Sequence, residues 1–312
     1  MVLSALSGKP DYYNRAGEDI IGQVAIPAVN GTTSLKLNNA AILNRGFEVE
    51  LTGNLQTANR AFGWRTTVTY AYNKNEVKDL YYPSIYAYQL AEGTFVEGRP
   101  VGCLYSYNYA GTEDGIPYVY GLNGNKVSMN DVSLHNRTVG LSFMNYEGTQ
   151  VPPHTLGWVN NFSYKGFSLY VFVTGNFGGI FRRPTNSSMP GVGGSKTSVG
   201  RFMSDVFESD GSEYPTFPNP GEKQYYLWNR YIPNLSYFVE SSSFIRLKEI
   251  TLDYNLPSAW MKKIKMNGIR LFVQARDLGL IYSANKKHYD PEWLPGSNKP
   301  VTTFTFGADI KF

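Results

Sequence analysis

Apolar and polar residues alternate with a period of two over eight segments of this chain, near residues 9–15, 40–56, 61–76, 154–165, 166–178, 241–256, 267–282 and 301–312. Successive side chains of a strand point to opposite faces, so each segment predicts a strand with one apolar and one polar face. The last segment is the clearest, with Phe304, Phe306, Ala308, Ile310 and Phe312 on one face and Thr303, Thr305, Gly307, Asp309 and Lys311 on the other. In the second, Phe47, Val49, Leu51 and Leu55 alternate with Glu48, Glu50, Thr52 and Asn54; in the third, Trp64, Thr66, Val68, Tyr70 and Tyr72 alternate with Arg65, Thr67, Thr69, Ala71 and Asn73. Two segments are less regular. Tyr170 and Phe172 blur the polar side of 166–178, and Phe272 is the exception on the polar side of 267–282. A soluble sheet shows the same period, but terminal residues of soluble domains are usually frayed and polar, whereas this chain closes on Phe312. The wall of a membrane barrel, lipid on one face and a polar lumen on the other, accounts for both features. Charges on the lipid face cost about 2–4 kcal/mol at mid-depth, which explains why they share the other one.

The links between segments sort by length. Short links at 57–60, Lys165-Gly166 and 257–266 take turns with long ones at 16–39, 77–153, 179–240 and 283–300. An all-β, antiparallel, up-and-down transmembrane barrel has short periplasmic turns and long extracellular loops, so the order predicts that architecture and puts Phe312 at the periplasmic rim. Tyr164-Lys165-Gly166-Phe167 reads as a tight hairpin. Pro257 cannot donate to a ladder and ends its strand; a short helix is expected over 258–265. The two longest loops exceed the usual ceiling of about 15 residues for structureless connections, so they are expected to be functional, partly structured or packed against other material. Eight strands can close a small barrel, but loops of this size fit a piece of a larger one better.

Composition narrows the classes. Hydrophobic residues make up 42% and charged residues 17%, with 24 Tyr, 18 Phe and 31 Gly, a balance that suits strands half exposed to a lumen. No run approaches the roughly 18 apolar residues of a membrane helix, and the mean hydropathy of −0.31 agrees with strands as the spanning elements. The net charge of +4 is scattered, and the densest basic cluster, Lys262, Lys263 and Lys265, is too short to imply nucleic acid. A single cysteine, Cys103, excludes a disulfide framework. The first residues lack a basic stretch and a long apolar run, so no signal peptide is read.

Several motifs occur in an order that resembles the C-terminal part of the SusC/RagA-type TonB-linked outer-membrane transporters of Bacteroidetes. They are Asp11-Tyr12-Tyr13 with Asp19-Ile20-Ile21, Asn44-Arg45-Gly46-Phe47-Glu48-Val49-Glu50-Leu51, Glu97-Gly98-Arg99-Pro100-Val101-Gly102, the Tyr107–Pro117 stretch with Asp114-Gly115, and Val151-Pro152-Pro153-His154. Ser242-Ser243-Phe244-Ile245-Arg246-Leu247-Lys248-Glu249-Ile250-Thr251-Leu252, Arg276-Asp277-Leu278, Asp290-Pro291-Glu292 and the closing Phe312 complete the series. The resemblance implies that residues 1–312 are the C-terminal portion of a barrel of about 22 strands in the cell outer membrane, its plug domain and N-terminal strands lying outside this chain. It implies active nutrient import, with oligosaccharide the commonest cargo and peptide the next, a SusD-like surface lipoprotein as lid, and energy from the TonB complex through the missing N-terminal part. It also makes Phe304, Phe306, Ile310 and Phe312 a recognition signal for the barrel-assembly machinery. A fragment alone is not expected to transport.

Candidate chemistry is sparse. Tyr105, Tyr107, Tyr109 and Tyr118 belong to a loop that also holds Tyr81, Tyr82, Tyr86, Tyr88 and Tyr120; their rings and hydroxyls suit contact with cargo or the lid protein, or else aromatic packing within the loop. Asp290 and Glu292, after His288, bring two carboxylates together; they read as loop-fixing residues or cargo contacts before they read as Ca²⁺ ligands, and Glu113 and Asp114 are read alike. His135, His154 and His288 have no supporting context for catalysis, so no catalytic residue, metal or cofactor is expected. Arg65, Glu48, Glu50, Arg246, Lys248, Arg270 and Arg276 are expected in the lumen as cross-strand charge pairs that hold the plug. Two other classes compete: a small complete barrel acting as pore or adhesin, and a soluble carbohydrate-binding β-domain.

Overall fold

The computed structural model describes residues 2–26, 29, 31–32, 34–57, 61–83, 87–91, 93–121, 123–131, 140–183, 222–285, 287, 289–294 and 297–312. Its strands are β1 (Val2–Ala25), β2 (Ser34–Gln56), β3 (Phe62–Leu80), β4 (Cys103–Tyr107), β5 (Tyr109–Glu113), β6 (Ile116–Tyr120), β7 (Lys126–Ser128) and β8 (Met144–Thr149). They continue with β9 (His154–Tyr164), β10 (Phe167–Phe177), β11 (Ile180–Arg182), β12 (Val239–Ser241), β13 (Phe244–Asn255), β14 (Gly268–Ser283) and β15 (Thr303–Lys311). One antiparallel eight-stranded sheet in the order β1-β2-β3-β9-β10-β13-β14-β15 forms the wall. All eight are the strands expected from the alternation, and neighbours in the sheet are the neighbours that an up-and-down path requires. β1 and β15 are its outer strands and do not pair with each other, so the wall is open.

Register assigns the faces. Across β14 and β15, Leu271 lies opposite Ala308, Val273 opposite Phe306 and Ala275 opposite Phe304, while Arg270 meets Asp309 and Gln274 meets Thr305. The apolar set continues through Leu252, Leu169, Phe162 and Trp64. Two rows of rings bound it. Tyr164, Phe62, Phe167 and Tyr254 mark the short-turn end, and Tyr12, Phe47, Tyr72, His154 and Phe177 the long-loop end. The rows are about ten residue steps apart on β9; at roughly 3.3 Å per residue and a tilt near 40° that distance is about 25 Å along the membrane normal, the height of an outer-membrane apolar band. Polar atoms inside the band bond to one another, as hydrocarbon requires: Trp64 Nε1 donates to Asn160 Oδ1 at 3.0 Å, Trp158 Nε1 to Thr66 Oγ1 at 2.9 Å, and the Tyr70 hydroxyl sits 2.7 Å from His154 Nδ1.

The blurred positions have physical reasons. Phe272 lies on the lumen face because its neighbour on β15 is Gly307, where an added Cβ would come within 2.4 Å of the ring. Lys248 and Glu249 are adjacent charges because the β13–β14 register shifts between Leu247 and Glu249, and that bulge keeps Arg246 and Glu249 on one face.

One expected boundary is corrected. The link 16–39 is not a long loop: β1 and β2 pair from Val2↔Gln56 to Ala25↔Ser34, and only 26–33 connect them. The first three strands run roughly 8 to 13 residues past the Tyr12, Phe47, Tyr72 row, about 25–40 Å of strand above the bilayer. Alternation fades there because water wets both faces, and because the β1–β2 register shifts around Ile20, next to Asp19 at φ 54°.

The short links lie at the opposite end. Lys165 and Gly166, at φ 45° and 90°, form the two-residue turn with both central residues left-handed. The link after β13 holds the helix Ser258–Ile264, started by Pro257 and closed by left-handed Lys265, as expected. Among the described residues no helix is long and apolar enough to cross a membrane.

Candidate extracellular binding layer

The described parts of the two longest links fold together above the wall. β4 pairs with β8, β6 with both β5 and β7, and β11 with β12. The helix Lys223–Tyr231 closes a core of Ala87, Tyr107, Val119, Met129, Phe143, Leu227, Trp228, Tyr231, Ile232, Leu235 and Phe238. Asp114 and Gly115 form the β5–β6 turn, both at positive φ. Trp228 Nε1 donates to Asn130 Oδ1 at 2.8 Å, so the indole is buried with its polar atom satisfied.

One arginine joins the two links and a second braces the later link on itself. Arg182 donates to the carbonyls of Ala91 at 3.2 Å and Tyr105 at 2.6 Å, to Ser106 Oγ at 3.1 Å, and to Asn234 Oδ1. Burial lowers its pKa to about 10, still charged at neutral pH. Arg183 donates to the Tyr237 carbonyl at 3.0 Å, pairs with Glu240 at 3.4 Å and lies 5.2 Å from the Tyr237 ring centroid. Neither arginine was expected from the sequence; the only signal is an adjacent Arg pair inside a long link.

The layer is bolted to the strand extensions. Asn39 accepts the Tyr81 N–H on its carbonyl and the Tyr82 N–H on its side chain, both at 2.9 Å. Val77 exchanges backbone bonds with Gly98 and Arg99 at 2.9 Å, and Val101 N–H donates to Asn75 Oδ1 at 2.6 Å. Asn73 N–H donates to the Pro153 carbonyl, and Ser242 N–H to that of Gly179, both at 2.9 Å. Thus Glu97–Gly102, Pro152-Pro153 and Ser242-Ser243, conspicuous as motifs, are the joints of the extracellular rim.

The structure separates the candidate tyrosines. Tyr107 is 1% exposed, its ring edge-on to Tyr231 at 5.1 Å, and burial pushes its hydroxyl pKa up. Tyr105 is buried in β4 beside Tyr146. Tyr107 belongs to the layer's core, and Tyr105 is buried in the β4–β8 pair outside that cluster. Tyr109 and Tyr118 are half-buried; Tyr109 bonds to Thr112 Oγ1 at 2.8 Å and stands edge-on to Tyr237. Tyr81, Tyr82 and Tyr120 are exposed, while Tyr86, His135 and His288 lie outside the described residues, as does the side chain of Tyr88. Cys103 is buried in β4 rather than in a loop, and burial raises its thiol pKa.

Asp290 and Glu292 are committed to cations. Both pair with Arg246, itself 3% exposed; Lys299 lies 3.0 Å from Asp290, and Lys248 3.4 Å from Glu292. Burial pushes the Asp290 carboxyl up, but hydrogen bonds from Arg246 and Lys299 outweigh it and hold the pKa below its ordinary value. This network clamps the link 284–302 to β13. Glu113 pairs with Lys126. Lower on the lumen face, Arg270 bridges Asp253 and Asp309, and Arg276 pairs with Glu249 at 3.0 Å. Glu48 lies opposite Asp11, Glu50 opposite Lys9, and Arg65 opposite Asn54. Phe304, Phe306, Ile310 and Phe312 are all exposed, the last by 85%.

No protein-family model matches the chain. It is 24% identical over 330 residues to TonB-dependent receptor P3 of Formosa agariphila, covering 97% of this chain and 32% of the relative. It is 21% identical to TonB-dependent receptor SusC of Bacteroides thetaiotaomicron, covering 98% and 30%. Among solved structures, the RagAB peptide transporter superposes with a TM-score of 0.72 at 22% identity, covering 98% of this chain and 33% of that one. The chain therefore spans about a third of the length of the relatives it matches.

Proposed function

From the premise that the chain is the C-terminal part of a SusC/RagA-type TonB-dependent receptor, lying in the outer membrane, we propose that it supplies one side of the wall and the extracellular binding layer of an active nutrient importer. The observation that carries this reading is the open eight-stranded wall crowned by a folded loop layer. Open sheet edges are not tolerated in hydrocarbon, so β1 and β15 call for further wall strands to close the barrel. Plug and energy coupling to TonB belong to the remainder of the protein. The loop layer is where a SusD-like lipoprotein seats, with the lumen charges Arg65, Glu48, Glu50, Arg270 and Arg276 facing the plug.

Oligosaccharide is the proposed cargo; exposed Tyr81, Tyr82 and Tyr120 offer ring faces and hydroxyls that suit sugars. Peptide is the second reading, favoured by the likeness to a peptide transporter. No enzymatic step is proposed. Deleting the gene in its bacterium and following uptake of labelled oligosaccharide and oligopeptide pools tests the proposal. Import of one pool is expected to fall at least tenfold and to fall equally when TonB is removed. Unchanged uptake of both pools would contradict it, and loss of the peptide pool alone would select the second reading.

A further inference from the structure

Just above the outer row of rings, the lipid-facing side of the wall changes from aromatic to cationic. Arg45 lies two residues beyond Phe47 on β2, Lys74 two residues beyond Tyr72 on β3, and the two are direct partners across the ladder. Positions two apart share a face, so both belong to the outward face. Two residues of strand are about 6.6 Å, or about 5 Å along the normal at a tilt near 40°. That depth is the headgroup layer of the outer leaflet. Both side chains are open, Arg45 by 46% and Lys74 by 59%.

The charged groups around them are few. Glu76, the next outward position on β3, lies 3.9 Å from Arg45 and 3.5 Å from Lys74, distances that steer the cations without saturating their donors. Asn14 is the outward partner of Arg45 on β1. Arg15 turns to the other face, its guanidinium 5.2 Å from the Tyr13 ring centroid. The triad Arg45, Lys74 and Glu76 thus keeps one net positive charge at headgroup depth, directly over Tyr12, Phe47 and Tyr72.

We infer that Arg45 and Lys74 form a binding site for the phosphate of an outer-leaflet lipid, whose acyl chains lie along the Tyr12, Phe47 and Tyr72 rings. Arg offers paired N–H donors and Lys a point charge to a phosphate monoester, and exposed cations at a membrane surface draw anionic headgroups. The aromatic floor selects a lipid-borne phosphate over a free one. Glu76 weakens the site, since its carboxylate competes for both cations. The inference rests on the orientation of the wall and not on import, so its failure leaves the import proposal standing.

The test uses protein purified from its native outer membrane in mild detergent, with lipid binding counted by native mass spectrometry. The probes are phosphorylated lipid A, its dephosphorylated form and inorganic phosphate. R45Q/K74Q is expected to lower phosphorylated-lipid binding about tenfold, E76Q to raise it several-fold, and K165Q, at the other rim, to leave it unchanged. Equal binding of the dephosphorylated lipid, full competition by inorganic phosphate, or unaltered binding by both R45Q/K74Q and E76Q would each overturn the inference. Because E76Q removes no cation, it reads the site even if the double variant does not assemble.

Discussion

Single residues hold this wall at points where a polar or bulky group has one acceptable neighbour. Gly307 gives the Phe272 ring its place on the lumen face. G307V is therefore expected to destabilise the β14–β15 pair by about 1–3 kcal/mol, the range for overpacking, and G307V/F272A to recover most of it; urea titration of the assembled protein measures both. Arg246 is the second such point. R246M leaves two partly buried carboxylates without their shared cation, and breaking one side of a buried ion pair costs about 3–5 kcal/mol. Its expected sign is faster proteolysis in 284–302 with the transmembrane strands intact. The same clamp fixes a pH dependence. The folded pKa of Asp290 lies below its ordinary value, so its contribution is complete above about pH 3.9 and is lost as pH falls through the folded pKa. Hydrogen exchange in 284–302 is expected to be flat from neutral pH down to about 5, once corrected for intrinsic rates, and to accelerate in stronger acid.

At the scale of elements, the wall strands were legible because each carries a lipid face, and lipid enforces alternation more strictly than water does. The β1–β2 hairpin was legible only where it crosses the membrane; above it, with a shifted register near Asp19 and water on both sides, the period carries no signal. The short turns and the helix Ser258–Ile264 followed from Lys165-Gly166 and Pro257. The loop layer did not follow, because its core joins residues such as Tyr107, Trp228 and Phe238 from two separate links, and no local pattern announces such pairing. Tyrosines that stood out as contacts turned out to divide between that core and its surface. Arg182 ties the links together, so R182A is expected to open the layer without disturbing the wall: trypsin cleavage within 81–153 and 178–243 should accelerate while the heat-shifted electrophoretic mobility of the barrel persists. Concerted loss of both would show that the layer and the wall fold as one unit.

For the whole molecule, sidedness and openness are the two facts that matter. An aromatic-bounded band of about 25 Å faces lipid, charge pairs such as Arg270–Asp309 and Arg276–Glu249 face the lumen, and long loops crown one end. β1 and β15 end the sheet without meeting. The central claim, that these eight strands are part of a larger wall and not a small barrel in their own right, is tested most directly by refolding the 312-residue chain into lipid vesicles and recording planar-bilayer conductance. No stable unitary conductance is expected from this chain. Discrete, reproducible channels from it would show that β1 and β15 close on each other and that the eight strands are a barrel in their own right.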